Sequence, residues 1–271
     1  MRRLTLFAVS IVLLVAFASR AQQPDSAQPA NSGSSTQTSS TMTPREAAEM
    51  RADIMMARKE YSEGLAAYQQ LIKDEPKNAL LLNKAGVACQ QLANFRLADR
   101  YYKKAIAADK NFSSPINNLG TIEYQRKHYS KSIDLYKKAL VFQTDLAAIY
   151  SNLGYSYFAD KQYSEAMESF GKALAIDPAI FEHKGGTGSL IQQRSSTDPG
   201  LFYFYLAKAY AQLKDAERAA HYLKMARDDG YKDYLSAQTD PAFANVIKDP
   251  RVQEVLQGQP PYSQQNKPAP N

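Results

Sequence analysis

Apolar and polar positions alternate with the period of an α-helix along most of the chain. In the segment KEYSEGLAAYQQLIKDEP, which begins at Lys59, charged and amide residues separate a line of apolar or small residues. The members of this line lie at 3–4–3 spacing, on one face of a helix: Tyr61, Gly64, Tyr68 and Leu71. The pattern predicts an amphipathic helix that buries this face against a neighbour.

The phrase recurs every 34 residues without gaps: ANFRLADRYYKKAIAADK begins at Ala93, KHYSKSIDLYKKALVFQT at Lys127 and KQYSEAMESFGKALAIDP at Lys161. The half-units before these phrases also match one another: NKAGVACQQL, NNLGTIEYQR and SNLGYSYFAD. A fifth, related unit begins at Gly200, with 19 extra residues before it. One helix pair cannot bury both of its faces alone, so such units are expected to stack on their neighbours.

Small and aromatic residues recur at fixed positions of the units. The small residue of the first helix is Ala52, Gly86, Gly120, Gly154 or Ala207. The aromatic that opens the second helix is Tyr61, Phe95, Tyr129 or Tyr163, and the next large residue is Tyr68, Tyr102, Tyr136, Phe170 or Leu223. Small residues let two helices approach closely, and the large side chains fill the space beside them.

A period of 34 residues with these small and aromatic positions resembles the tetratricopeptide repeat. The resemblance covers about residues 45–230 and departs from the family in the absence of Trp and in Lys110 and Thr144, which replace a helix-ending Pro. It implies an all-α fold, namely a right-handed superhelical solenoid of tetratricopeptide helix pairs with a C-terminal cap. It also implies binding of a protein or peptide by the first helices, which line a concave groove.

The N-terminal segment is predicted to lie outside the folded part. A positively charged start (MRR), an apolar run of about 15 residues and small residues before residue 22 are typical of a secretory signal peptide over 1–21. The apolar run is shorter than the ~20 residues that span a bilayer. Cleavage is therefore favoured over an N-terminal anchor in the inner membrane, which stays the alternative. Residues 22–44 are rich in Ser, Thr, Gln and Pro and are predicted to form a disordered linker.

The repeat register sets the remaining boundaries. Repeats one to four occupy 45–178, an insertion loop 179–199, the fifth repeat 200–230, C-terminal capping helices 231–258 and a disordered tail 259–271. Two short capping helices are predicted to start at Pro241 and Pro250, because Pro suits the first helical turn. Within the insertion, residues 189–193 are predicted to form a strand-like arm after a glycine-rich turn.

Helical position places a set of amide, aromatic and basic residues on the predicted groove. Asparagine carries both a donor and an acceptor, so it can pair with the backbone of an extended peptide of any sequence. Tyr and Phe offer a large contact area. The competing interpretation is that some of these residues cap or brace neighbouring helices. The predicted partner-binding residues are Asn83, Lys84, Asn117, Asn118, Tyr124, Asn152, Tyr155, Phe158, Tyr205 and Lys208.

Charge and chemistry argue against other classes of protein. The net charge is +6, and the leader carries three of those positive charges and no acid, so its removal would leave +3. Bases alternate with acids, which is typical of a solvated surface and disfavours nucleic acid. The three histidines have no second ligand at metal spacing, and no nucleophile motif is found. We therefore expect no catalytic site, no metal and no cofactor, and a buried, unreactive Cys89.

These observations predict an exported, periplasmic or secreted, non-enzymatic interaction scaffold or adaptor that binds a protein or peptide. Membrane contact is expected only through the leader, if it stays uncleaved. One alternative is an assembly factor or chaperone-like protein for outer-membrane, pilus or polysaccharide machinery. A weaker alternative is a carbohydrate-binding module that uses the aromatic residues of the groove.

Overall fold

A computed structural model describes residues 42–182 and 198–258. Within these residues the chain forms helices and turns and contains no strand. Repeats one to four consist of α1 (Pro44–Ala57) and α2 (Tyr61–Asp74), α3 (Ala79–Gln91) and α4 (Phe95–Ala108), α5 (Ser113–Gln125) and α6 (Tyr129–Phe142), α7 (Ala147–Ala159) and α8 (Tyr163–Ile176). The fifth repeat consists of α9 (Pro199–Gln212) and α10 (Ala216–Asp228).

The helices stack in chain order, as the repeat register predicts. The two helices of each repeat pack against each other, and each second helix also packs against the first helix of the next repeat, including α8 against α9 across the insertion. First helices of successive repeats lie side by side, since α3 contacts α5 and α5 contacts α7. The all-α class and the helical solenoid predicted from the sequence are confirmed.

The recurring glycines bring the two helices of a repeat together. The rings of Tyr102, Tyr136 and Phe170 are fully buried, and each lies directly over the glycine of its own repeat. A methyl group added to Gly120 would lie 2.8 Å from Cε1 of Tyr136, closer than side-chain carbons approach. The small and large residues that recur in the sequence therefore contact each other, and this contact fixes the spacing of the two helices.

The turn between the helices of each repeat has one backbone conformation. Lys59, Ala93, Lys127, Lys161 and Lys214 all have φ between 56° and 65°, in the left-handed region. This region is unfavourable for residues with a side chain. In every repeat the N–H of the next residue donates to the carbonyl five residues before it, as Glu60 N does to Met55 O at 2.9 Å, so the conformation closes the end of the first helix.

The ends of the array depart from the predicted bounds in detail. Thr43 caps α1 and forms a capping box with Glu46, so α1 begins at Pro44, the last residue of the predicted linker. At Pro241 the structure has a three-residue 3-10 helix, Pro241–Phe243, instead of the predicted longer helix. The chain turns again at Ala244, so the helix does not continue. A second 3-10 helix, Lys232–Gln238, was not predicted, whereas α11 (Pro250–Gln257) begins at the predicted Pro250.

The C-terminal elements lie against the fifth repeat. The turn at Pro241–Phe243 contacts α9, and α11 contacts α10. Phe243 and Val252 are fully buried there. The capping role itself stays a prediction. The predicted signal peptide, most of the linker, the strand-like arm at 189–193 and the tail lie outside the described residues.

None of the helices in the described part of the chain is long and apolar enough to cross a membrane.

Candidate partner-binding face

Four of the predicted asparagines form one hydrogen-bonded chain across the first helices of repeats two to four. Asn118 Nδ2 donates to Asn83 Oδ1 at 3.1 Å, and Asn152 Nδ2 donates to Asn117 Oδ1 at 3.0 Å. Asn117 Nδ2 donates to Asn118 Oδ1 at 3.3 Å and joins the two pairs. The competing interpretation made from the sequence is thus correct in part, because these amides brace neighbouring helices.

The asparagine chain keeps hydrogen-bonding capacity that its members do not use on one another. Each amide has two N–H groups and an oxygen with two lone pairs, and Asn117 and Asn118 are only half-buried. Asn152 is 3% exposed, and its Oδ1 has no hydrogen-bond partner. Buried polar atoms are nearly always paired. The middle of the chain therefore offers accessible donors and acceptors, and its end carries an acceptor without a donor.

Tyr155 and Phe158 lie in the interior and not on an open face. Tyr155 is 3% exposed and stacks on Phe202 of α9 at 5.3 Å between ring centroids, and Phe170 of α8 packs edge-on at 5.5 Å. Phe158 contacts the same Phe202 ring at 5.6 Å. The placement of these two residues on the groove was wrong, because α9 packs directly over them despite the insertion that precedes it.

Burial of Tyr155 leaves its hydroxyl without a hydrogen-bond partner. Loss of contact with water raises the pKa of this phenol well above its usual range, so the group is neutral. Tyr124 is also buried and packs against Tyr129 at 5.4 Å. Both rings therefore contribute to the core of the solenoid, and neither offers the wide exposed surface expected of a binding aromatic.

The two predicted lysines are held in ion pairs. Lys84 Nζ lies 2.8 Å from Glu49 Oε1 and 2.7 Å from Asp53 Oδ2, both on α1. Lys208 Nζ lies 2.8 Å from Asp240 Oδ2 and 5.1 Å from the ring centroid of Tyr205. The sequence does not predict which acids neutralise these lysines. Glu49 and Asp53 are one turn apart on a helix, but nothing in the sequence indicates that they point toward α3.

The residues that remain accessible define a narrower site than the one predicted. Lys84, Asn117, Asn118, Tyr205 and Lys208 are all partly exposed. We call this set the first-helix face, because all five lie on first helices. Its lysines are paired with acids and its central groups are neutral amides. The face is suited to a polar, nearly neutral partner.

Cys89 is fully buried, and burial raises the pKa of its thiol to about 11, so it is protonated and shielded. In 42–182 and 198–258, no three His, Cys, Asp or Glu side chains come together in a way that could hold a metal ion. His183 lies outside these ranges.

Comparison with known proteins identifies the repeats. Tetratricopeptide repeat models match residues 79–112 and 147–179, and a further TPR repeat model matches 120–161. Comparison with curated proteins finds no match to this chain.

Solved structures share the helical architecture. PilF of Pseudomonas aeruginosa is 17% identical, with a TM-score of 0.51 over 78% of this chain and 86% of that protein. MamA of Desulfovibrio magneticus is 16% identical, with a TM-score of 0.50 over 69% of this chain and 95% of that protein. At this identity the likeness concerns the fold alone. With the three repeat matches and the 34-residue stacking of helix pairs, this chain belongs to the tetratricopeptide repeat family.

Proposed function

We propose that this protein is an interaction scaffold of the cell envelope that binds an extended peptide or a partner helix on its first-helix face. Proteins of the tetratricopeptide repeat family are generally non-catalytic and bind protein or peptide partners. The described part of the chain carries no cluster suited to a metal, and its only thiol is buried. Both features support binding rather than catalysis.

The observation that carries this proposal is the asparagine chain. It runs across α3, α5 and α7, and its two half-buried members lie at the centre of the face. An extended peptide presents N–H and C=O groups alternately, and an amide can pair with either. Binding of this kind tolerates many sequences, because it depends on the backbone of the partner and not on its side chains.

The charges of the face favour a neutral partner segment over a terminal carboxylate. A carboxylate would need an unpaired cation within a few ångströms to offset its loss of water. Lys84 is held by two acids and Lys208 by one. We therefore expect internal peptide segments, or an uncharged stretch of a helix, to bind better than a free C-terminus.

A pull-down from the envelope fraction tests the site. The variant Asn117→Ala with Asn118→Ala removes the two accessible amides and leaves the buried Asn83 and Asn152 in place. We expect partner yield to fall at least tenfold while helical circular dichroism shows that the solenoid is retained. The melting temperature should also fall, because Asn83 and Asn152 lose their hydrogen-bond partners, so binding is compared well below it. The matched control is Asn111→Ala, which removes an exposed amide from a loop between repeats two and three. Partner yield equal to that of the unmodified chain would refute the site.

The envelope location rests on the leader composition described above. If the signal peptide is cleaved after residue 21, sequencing of the isolated protein will start at Gln22 and fractionation will place it outside the cytoplasm. A chain that keeps its first residues and sediments with the inner membrane would favour the anchored alternative.

A further inference from the structure

The N-terminal helix α1 exposes an apolar stripe on the side that faces away from the rest of the solenoid. Met50 is 46% exposed and Ile54 43%, and the small residues Ala47 and Ala57 continue the line in each direction. Ala52, the fully buried residue of α1, lies about 180° around the helix from the middle of this stripe. The stripe is therefore opposite the surface that packs on α2.

Equivalent positions in the other repeats show that the Ile54 edge of this stripe is normally covered, whereas Met50 corresponds to Lys84, Asn118 and Asn152. Ile54 corresponds to Ala88, Ile122 and Ser156, and all three are fully buried. The second helix of the preceding repeat covers them, as α2 covers α3. Repeat one has no preceding repeat among the described residues, so its face stays open. The other end of the array is already covered by α11 and the two 3-10 helices.

The charges beside the stripe indicate what kind of helix fits it. Residues 47, 50, 54 and 57 have 3–4–3 spacing, which corresponds to the a and d positions of two short heptads. Arg51 and Arg58 then occupy the e positions, and Glu46 and Asp53 occupy the g positions. All four are exposed.

Parallel and antiparallel pairing of two such helices give opposite electrostatics. In a parallel pair the g residue of one helix meets the following e residue of the other. Glu46 would meet the second copy's Arg51, and Asp53 the second copy's Arg58. Every charged contact across the seam, the line along which the two helices meet, is therefore attractive. In an antiparallel pair e meets e and g meets g, which would place arginine against arginine and acid against acid.

Arg51 also argues against an ordinary repeat as the occupant. Its counterparts Ala85, Leu119 and Leu153 are buried against the preceding second helix, which offers an apolar surface. A helix of that type would bury the Arg51 guanidinium without a partner, which is costly. A second copy of α1 supplies Glu46 at that place. Glu46 now accepts a hydrogen bond from Thr43, and Asp53 accepts hydrogen bonds from Lys84 and Tyr68. Both acids can keep these bonds in the pair, because a carboxylate can accept about four hydrogen bonds.

From these observations we propose that α1 pairs in parallel with α1 of a second copy of this chain, across a two-fold axis along the helices. Each stripe covers the other, and the contact closes as a dimer because both copies use the same surface. The seam is short and contains two alanines, so the dimer is expected to be in rapid, concentration-dependent exchange with monomer.

Sedimentation of the purified chain over a range of concentrations is the first test. We expect the average mass to rise from monomer to dimer, and Ile54→Glu to weaken association at least tenfold. Leu213→Glu is the matched control, because Leu213 is 44% exposed but lies at the end of α9. A chain that stays monomeric at every concentration, or a dimer that Ile54→Glu leaves unchanged, would overturn the proposal.

Charge reversal and crosslinking test the orientation. Arg51→Glu with Arg58→Glu should weaken the dimer at least tenfold, whereas the same change at the exposed Arg96 and Arg100 of α4 should not. In a Cys89→Ala background, Ala57→Cys should form a disulfide with its own copy, because a parallel seam places the two d residues within reach. Equal effects of the two charge reversals, or a disulfide only between Cys introduced at 57 and at 47, would contradict a parallel seam.

Discussion

At the scale of single residues, two helical glycines differ in what their missing side chain allows. Gly120 lies in α5 beneath the ring of Tyr136, where an added methyl group would lie 2.8 Å from Cε1 of the ring. Gly171 lies in α8, where nothing approaches within 4 Å of an added methyl group. The first glycine is therefore required by packing, and the second weakens its helix without a packing reason.

The pair gives a prediction with opposite signs. Gly120→Ala should lower the free energy of unfolding by about 1–3 kcal/mol, since Tyr136 is fully buried and cannot move aside without strain. Gly171→Ala should raise it by about 0.5–1 kcal/mol, because alanine restricts the unfolded chain and favours the helix. Urea denaturation followed by circular dichroism measures both. If the two variants shifted the midpoint in the same direction, glycine–aromatic contact would not be the determinant of helix spacing.

At the scale of helices, an ionic cluster joins repeats two and three. Glu123 of α5 is 1% exposed and accepts from Arg126 Nη1 at 2.8 Å and Lys131 Nζ at 3.1 Å, with His128 Nδ1 also at 2.8 Å. Arg126 reaches Asp99 of α4 at 3.5 Å. Tyr157 and Cys89 occupy the equivalent position in the neighbouring repeats, so Glu123 is a local departure from an otherwise apolar or aromatic position.

The cluster predicts a pH dependence of stability. Burial alone would raise the pKa of Glu123, but hydrogen bonds from His128 and Lys131 outweigh it, and the pKa lies below its ordinary value. A lowered folded-state pKa stabilises the protein above the unfolded value, and this contribution disappears as pH falls through the lowered pKa. The unfolding free energy of the unmodified chain should therefore exceed that of Glu123→Gln above about pH 5, and the difference should shrink on acidification.

Equilibrium unfolding of both chains between neutral and acidic pH provides the measurement. Glu168→Gln is the control, because Glu168 pairs with Lys172 on the exposed side of α8 and should contribute little at any pH. A constant difference between Glu123→Gln and the unmodified chain at all pH values would show that the carboxylate charge is not what stabilises this joint.

Local periodicity determined which elements could be predicted. Second helices begin at Tyr61, Phe95, Tyr129 and Tyr163, as the repeated aromatics indicate. The site was predicted less well, because helical position locates a residue on a face but does not show which other helix covers that face. Tyr155 and Phe158 were placed on the groove, yet α9 covers them, and no periodic signal reveals this because the insertion interrupts the register. The asparagine bonds between helices likewise join residues 35 positions apart, which only stacking brings together.

At the scale of the whole molecule, the structure is an array in which each repeat contacts its sequence neighbours. Stability in such arrays is approximately a sum of repeat and nearest-neighbour terms. Its two ends differ: the C-terminal elements bury Phe243 and Val252 against the fifth repeat, whereas α1 leaves Met50 and Ile54 exposed. Removal of a covering element should therefore lower the stability of the repeat beside it most, and this effect should decrease along the array.

Truncation tests this expectation. A chain ending at Gly230 loses the two 3-10 helices and α11, and it exposes α9 and α10, whose Phe204 packs against Phe243 at 6.0 Å. Hydrogen exchange of α9 and α10 should accelerate strongly, while α3 and α4 should change little, because no described C-terminal element contacts them. A chain ending at Gly258, which removes only the predicted tail, should exchange like the full chain. Uniform acceleration from α1 to α10 would instead mean that the repeats unfold as one cooperative unit, and the C-terminal elements would then stabilise the whole array rather than cap its last repeat.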